Sequence, residues 1–357
     1  MAQYVVYTSS GRKRRTVYGK TRAEVATKLA KAISNRADGL TFDSKNLPVG
    51  KYLDSWLKDS VQDTVRLTTY QGYERIVRLH IKPTLESIKL DRLTSHHVRG
   101  LYREKLEVDL APRVVQLIHT TLHKALKQAV ADDLIPRNVT ESVKAPRPVS
   151  KEMQPLSPDQ ARALLKAARG EKLEALYILA LTTGMRQGEL LGLKWEDIDM
   201  ETGILHVRRT LSTAMGEGFS FNPPKTAKSR RSIRSPQLAL VSLRRHRAVQ
   251  LEERIKVARL WKDNDLVFTT GVGTPISRSD LITRSFKPLL QRSGLPDIRF
   301  HDLRHTCATL LLGKGVHVKL VQELLGHSTI AVTLDTYSHV LPGMGDSLAD
   351  TMDEALG

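Results

Sequence analysis

The chain has 357 residues, and its 56 Lys and Arg against 38 Asp and Glu leave a formal net charge of +18. That length supports two or three domains with sizeable cores, and that charge calls for a polyanionic partner, nucleic acid first, since neutralised phosphates supply most non-specific affinity. A single cysteine, Cys307, excludes an internal disulfide framework and fits a reducing compartment; the N-terminus has no signal-peptide run, and the longest apolar segment, 175–181, is far short of the roughly twenty residues of a membrane helix.

Residues 4–7 (YVVY) and 16–18 (TVY) are short β-rich runs around a basic loop, Gly11 to Arg15. Thr21 with Glu24 three residues on makes a capping box, ahead of Ala26, Leu29, Ala30 and Ile33 at helical spacing. The pattern over 1–38 predicts a small sheet packed on one helix, with Arg12, Lys13, Arg14, Arg15 and Lys20 on its open side. A solvated basic loop explains the same charge run nearly as well. Residues 36–47 are polar, contain a glycine and read as a linker.

Four helical patterns fill 46–143. Val49, Tyr52, Leu53, Trp56 and Leu57 mark the first, and Tyr70, Tyr73, Ile76, Val77 and His80 the second, which Pro83 is expected to end. The third runs from Leu93 to Leu106 behind a Thr94 or Ser95 cap; the fourth, Arg113 to Val130, carries Leu117, Ile118, Leu122, Ala125, Leu126 and Ala129 on one stripe. This predicts a helical bundle with basic residues outside it and its tyrosines and Trp56 in packing positions. Residues 144–155 hold three prolines without periodicity and form the domain boundary.

Beyond it, Ser157 caps a helix with Pro158 at the first position, and Leu173 to Leu181 is a buried helix. Residues 196–210 alternate like a hairpin about Glu201 to Gly203, with Ser229 to Arg234 as a third strand. A helix over Leu238 to Arg259, a short strand over Leu266 to Thr270 and a helix over Ser279 to Arg292 complete the approach to residues 301–337. There the spacing predicts helices over Asp302 to Leu312, Val318 to Leu325 and Thr329 to Val340, with Gly326 as a left-handed cap and His327 just outside it.

The chemistry sits in that stretch. His301, Arg304, His327 and Tyr337 combine a guanidinium fork for phosphate oxygens, groups that move protons near neutral pH and a phenol nucleophile. Upstream, GMRQGEL puts Arg186 at a helix start with Glu189 three residues on, and PPKTAKSRRSIR puts Lys225 in a turn before a basic strand. The set suggests attack on a phosphodiester. His301 and His305, four apart with Asp302 between them, mimic a helical zinc site, but Asp302 stands where a zinc protease needs Glu, and Arg304 sets a cation beside the metal.

The blocks TTGMRQGELLGLKWEDID, PKTAKSRRSI, HDLRHTCAT and LLGHSTIAVTLDTYSHV, in that order, resemble the tyrosine recombinase (phage integrase) family and span most of 155–340. The resemblance implies a mixed, mainly α fold in these parts: an arm-type DNA-binding module (1–38), a helical core-binding domain (46–143), a linker (144–155), an α+β catalytic domain (156–340) and a tail helix (341–357) docking on a neighbour. It implies that Arg186, Lys225, His301, Arg304 and His327 surround the scissile phosphate and that Tyr337 attacks it, without metal or cofactor. Glu189 would hold Arg186, and Lys225 would be the general acid; Lys228 and Arg230 or Arg231 would meet phosphates along the strand. His301 is assigned to proton transfer at the tyrosine and His327 to the phosphate, roles the sequence does not separate. The implied partners are double-stranded attachment sites, three further copies in a tetramer, an accessory DNA-bending protein and a directionality factor, on the nucleoid in the cytoplasm. A regulator on the same scaffold that no longer cuts, or a strand-passing topoisomerase or nuclease, are the alternative readings.

Overall fold

In the computed structural model, which describes residues 2–8, 11–17, 19, 21–27, 46–148, 153–214, 218–224, 229–337 and 352–356, the N-terminal alternation produces an antiparallel ribbon of β1 (Ala2–Thr8) and β2 (Gly11–Val17). The expected basic loop is therefore strand. The register sets Tyr7 opposite Arg12, Val6 opposite Lys13, Val5 opposite Arg14 and Tyr4 opposite Arg15. Thr21 Oγ1 accepts from the Glu24 amide at 3.2 Å, the first half of the capping box. Lys20, most of the 36–47 linker and the second half of the helix it follows lie outside the described residues.

The bundle follows. Helix α1 (Val49–Ser55) runs into a π-helical turn, Trp56–Val61; α2 (Leu67–Ile76) runs through another, Val77–Ile81, into a last turn, Lys82–Leu85. Pro83 thus does not end the helix. Its ring would clash with a carbonyl four residues back, and the wide turn, in which the Lys82 amide reaches Val77 O, shifts that carbonyl away. Helices α3 (Ser95–Glu107, capped by Thr94) and α4 (Pro112–Ala131) complete the bundle. Leu53, Ile81, Leu85, Leu101, Ile118, Leu122 and Leu126 form its dry centre, and Tyr52 Oη donates to Ala125 O at 2.6 Å. Leu117, expected on the buried stripe, is 42% exposed, and Val115 is buried there with the expected Ile118.

The chain divides into two compact units, 1–150 and 151–357, at a point inside the proline-rich stretch. The second unit opens on α5 (Pro158–Ala167), where Ser157 Oγ accepts from the Gln160 amide at 3.2 Å and Gln160 Oε1 accepts from the Ser157 amide at 2.9 Å. Helix α6 (Glu174–Thr183) is buried along almost its whole length, which explains its uninterrupted apolar sequence, and is followed by the short α7 (Gln187–Leu191). Strands β3 (Ile198–Asp199), β4 (Ile204–Val207) and β7 (Arg231–Arg234) make the expected sheet in the order β3-β4-β7. Between β4 and β7 rises an unanticipated hairpin, β5 (Thr210–Ala214) and β6 (Gly218–Asn222).

Two helices pack against α6: α8 (Gln237–Val257) and α10 (Asp302–Leu312). The strand expected at 266–270 is reduced to single bridges, Lys194 with Leu266 and Thr269 with Pro275. Between α8 and α10, α9 (Arg278–Asp280) continues through a π-turn, Leu281–Phe286, to Lys287–Arg292. Helices α11 (Val318–Leu325) and α12 (Ile330–Tyr337) follow, and no helix among the described residues is long and apolar enough to cross a membrane. Of the tail, only 352–356 is described.

The bundle core sets a direct contrast. Leu122→Ala, fully buried, should cost about 2–5 kcal/mol of unfolding free energy, while Leu117→Ala one turn earlier should cost roughly 0.5 kcal/mol or less, both read from denaturant midpoints.

Candidate active site

The site begins where α6 ends. Gly184 adopts a left-handed conformation with φ 59°, and a Cβ there would meet Leu325 Cδ2 at 2.5 Å, so both backbone angle and space demand glycine. The turn delivers Arg186 as the N-cap of α7. Its Nη1 donates to Glu189 Oε1 at 2.7 Å and its amide donates to Glu189 Oε2 at 2.9 Å. From β7, Arg231 Nη2 donates to the same Oε2 at 3.0 Å. Glu189 is 2% exposed between these two cations. Burial alone would raise its carboxyl, but Arg231 first and Arg186 next outweigh that and hold it below the ordinary value.

Arg304, on α10, is 3% exposed. Its Nη1 donates to Gly184 O and its Nη2 to Leu325 O, both at 2.7 Å, so it takes up carbonyls at the C-terminal ends of α6 and α11. Burial and the neighbouring Arg186 and Arg231 push this guanidinium down to about 9, which leaves it charged at neutral pH. Gly326, with φ 66°, ends α11 in the expected left-handed cap, and its carbonyl accepts from Arg186 Nη2 at 3.4 Å. His327 stands immediately outside. Its Nδ1 pairs with Thr333 Oγ1 at 2.9 Å, and burial together with Arg304 and Arg186 pushes the ring down to about 4.

Tyr337 is 1% exposed, its ring in a small core with Ala308, Leu312, Val321 and Leu325. Its hydroxyl lies 2.7 Å from His305 Nδ1, and burial pushes the phenol up to about 12. His305 in turn packs edge-on against His301, with ring centroids 5.0 Å apart. His301, at the exposed start of α10, is shifted below its ordinary value by its protein surroundings, then Arg304 and Arg186.

The fold therefore gathers Arg186, Glu189, Arg304, His301, His327 and Tyr337 from α6–α7, α10, the α11 end and α12. Lys225 and Lys228 lie outside the described residues, and Arg230 is exposed at the start of β7. Arg231 corrects an expectation. Its side chain is 7% exposed and points inward: Nε donates to Leu324 O at 2.6 Å, Nη1 to Ser229 O at 3.2 Å and Nη2 to Glu189. It is a buttress for the site. The alternation of β7 held the signal, since Arg231 shares a face with buried Ile233.

His305 is the residue sequence reasoning passed over, weighed only as half of a zinc mimic. Asp302, the third member of that mimic, is 2% exposed and bound to Arg299, with Arg299 Nη2 donating to Oδ1 at 2.8 Å. Among the described residues no group of three or more His, Cys, Asp or Glu is placed to hold a metal. Cys307 is buried with its thiol pushed up to about 12 by burial, the state of a core residue.

A polar, cation-rich centre with a sheltered phenol on a mainly helical scaffold with small sheets is that of a tyrosine-dependent phosphoryl-transfer enzyme. The phage integrase family model matches residues 154–343, and the N-terminal SAM-like domain of phage integrases matches 49–106. The chain is 31% identical to the "Tyrosine recombinase XerC-like" protein of Caldanaerobacter subterraneus subsp. tengcongensis, over 96% of this chain and 92% of that protein. It is 28% identical to the ICEBs1 integrase of Bacillus subtilis, over 80% and 78%. Its fold matches the Tn1549 transposon integrase in complex with a circular intermediate DNA, with TM-score 0.71 and 23% identity over 86% of this chain and 99% of that one. It also matches a lambda integrase tetramer bound to a Holliday junction, with TM-score 0.56 and 22% identity over 91% and 93%. The chain belongs to the phage integrase family, and it is a tyrosine recombinase, an enzyme that cuts and rejoins DNA.

Two outcomes follow from the charges. Glu189→Ala removes the carboxylate shared by buried Arg231 and the more open Arg186 and should cost about 3 kcal/mol in denaturant unfolding, with Glu189→Asp intermediate. His305 and His327 are each held at about 4 in the folded chain against an ordinary 6.5, so the unfolded state binds more protons and stability should fall as pH drops from about 6.5 to 4. In a urea series across that window, His327→Gln should flatten the fall.

Proposed function

We propose that Tyr337 attacks the scissile phosphate to leave a 3′-phosphotyrosyl bond and a free 5′-hydroxyl, with Arg186 and Arg304 neutralising the non-bridging oxygens. The observation that carries this reading is the anchored arginine pair. Arg304 is fixed by two helix-end carbonyls and Arg186 by buried Glu189, so cationic charge is in place before any DNA arrives. Arg186, 36% exposed at its side chain, is the more open of the two to an incoming phosphate. Exchange of one phosphoester for another is nearly neutral in energy, which lets the cut be resealed without nucleotide or metal.

Lys225 is the general acid for the leaving 5′ oxygen and His327 a hydrogen-bond donor to the phosphate. Glu189 and Arg231 hold Arg186 in place. Tyr337, sealed among Leu312, Val321 and Leu325, is opened to the phosphate by a shift of α12 on binding DNA that keeps its hydroxyl within hydrogen-bond reach of His305.

In the layout we propose, 1–38 grips arm-type DNA and 46–143 clamps the core site. A linker, 144–155, joins them to the catalytic domain, 156–340, and the tail, 341–357, docks on the next copy. A homotetramer on paired attachment sites, on the nucleoid, fits the relatives named above, and an accessory DNA-bending protein and a directionality factor complete the reaction. Arg12, Lys13, Arg14, Arg15, Lys20, Lys228 and Arg230 are DNA contacts in this reading.

The test is a covalent-trap assay in EDTA with nicked duplexes tiled across DNA flanking the gene. Wild type should give a denaturant-resistant protein–DNA adduct and Tyr337→Phe none, while Arg304→Lys should slow adduct formation about 10²–10³-fold without loss of DNA binding. Specific binding without any adduct would favour a regulator.

A further inference from the structure

We propose that His305 takes the phenolic proton when Tyr337 attacks, the role that the motif alone points toward His301. The proposal rests on Tyr337 being the nucleophile.

The placement comes from α10. His301, His305, Ala308 and Leu312 step along one side of this helix at three- and four-residue spacing, and Ala308 and Leu312 form part of the pocket around the Tyr337 ring. His305 therefore faces the phenol across that wall. Its Nδ1 is 2.7 Å from Tyr337 Oη and the two rings lie 5.7 Å apart, within the reach required of a general base. His301 makes no hydrogen bond to Tyr337 among the described residues; it packs on the far edge of the His305 ring at 5.0 Å and an interplanar angle of 89°.

Only a neutral imidazole can accept from an O–H, and the surroundings of His305 keep it neutral. The charged and titratable groups around it are His301, Asp302, Arg304 and Arg299 from α10 and its approach, His327 from beyond α11, and Tyr337 from α12. Burial, then His301, pushes the ring down to about 4, with Arg304 and Arg299 adding and Asp302 opposing. A phosphate seated on Arg304 and Arg186 brings negative charge beside those cations, so the ring becomes a stronger base when substrate is in place. The hydrogen bond thus holds the phenol in the free enzyme and becomes the proton path in the complex.

The step balances. The Oη–H bond breaks and its proton goes to His305 Nδ1; an Oη lone pair forms the bond to phosphorus; the bond from phosphorus to the 5′ oxygen breaks, and that oxygen takes a proton from the general acid. On rejoining, the imidazolium returns its proton to Oη as the phosphotyrosyl bond breaks.

Single-turnover cleavage of the nicked duplexes, saturated with enzyme, is measured from pH 5.5 to 9 for wild type, His305→Gln, His301→Gln and Tyr337→Phe. Glutamine accepts a hydrogen bond but takes no proton, so a merely structural contact is preserved. Wild type should be nearly flat. His305→Gln should fall about 10²–10⁴-fold at pH 7 and then climb about tenfold per pH unit, because attack must wait for tyrosinate. A flat, wild-type-like profile for His305→Gln, or the climb in His301→Gln instead, overturns the proposal while leaving the nucleophile in place. An adduct with Tyr337→Phe overturns the nucleophile itself. If His305→Gln fails to bind DNA or to melt cooperatively, the wild-type profile decides, since a tenfold climb per unit across the whole range means that no base takes the proton.

Discussion

Arg304 is the constraint on which the catalytic unit depends. A guanidinium at 3% exposure is costly to bury unless its donors are met, and here two of them tie the end of α6 to the end of α11. The same bonds fix Gly184 and Leu325, and through them the turns that present Arg186 and His327. In the proposed mechanism, catalytic charge and structural tie are one side chain. Because every partner is a backbone carbonyl or a neighbour of fixed charge, the site is assembled without substrate, and its positive potential is pre-formed.

That potential has a price in the surrounding groups. Arg186, Arg231 and Arg304 crowd one region, and Glu189, deeply buried and shared by two of them, offsets part of their charge. The histidines stay neutral because burial and then their charged neighbours push them down, while burial keeps the phenol protonated against the opposing pull of Arg304, its ring packed with Leu312, Val321 and Leu325. In the proposed mechanism, a free enzyme in this state holds its nucleophile away from water and from stray phosphodiesters. In that mechanism an arriving phosphate supplies the negative charge that the cluster lacks, which couples substrate binding electrostatically to activation of the site.

Much of this was legible in the sequence where local rules decide. Ser157 with Pro158, Thr94, Gly326 and the limits of α10 followed from capping and periodicity, because those signals are completed within a few residues. What escaped were features settled by distant partners. Pro83 sits inside a helix because a π-turn absorbs its clash, and Leu117 lies one position off a stripe whose centre is set by α2 and α3. The β5–β6 hairpin had its cues in the alternation of GFSFN, yet its pairing is read only across the turn. The contact of His305 with Tyr337 joins residues 32 apart in sequence, which no local spacing encodes.

The central claim is that one particular phenol of nine carries the cleaved strand. The most direct measurement is to trap the protein–DNA adduct, digest both protein and DNA, and map the nucleotide-bearing peptide by mass spectrometry. The account predicts the modification on Tyr337, within the peptide that contains Leu334 and Asp335. A nucleotide found on any other residue, or an adduct of unchanged yield whose peptide spanning Tyr337 is unmodified, would contradict it.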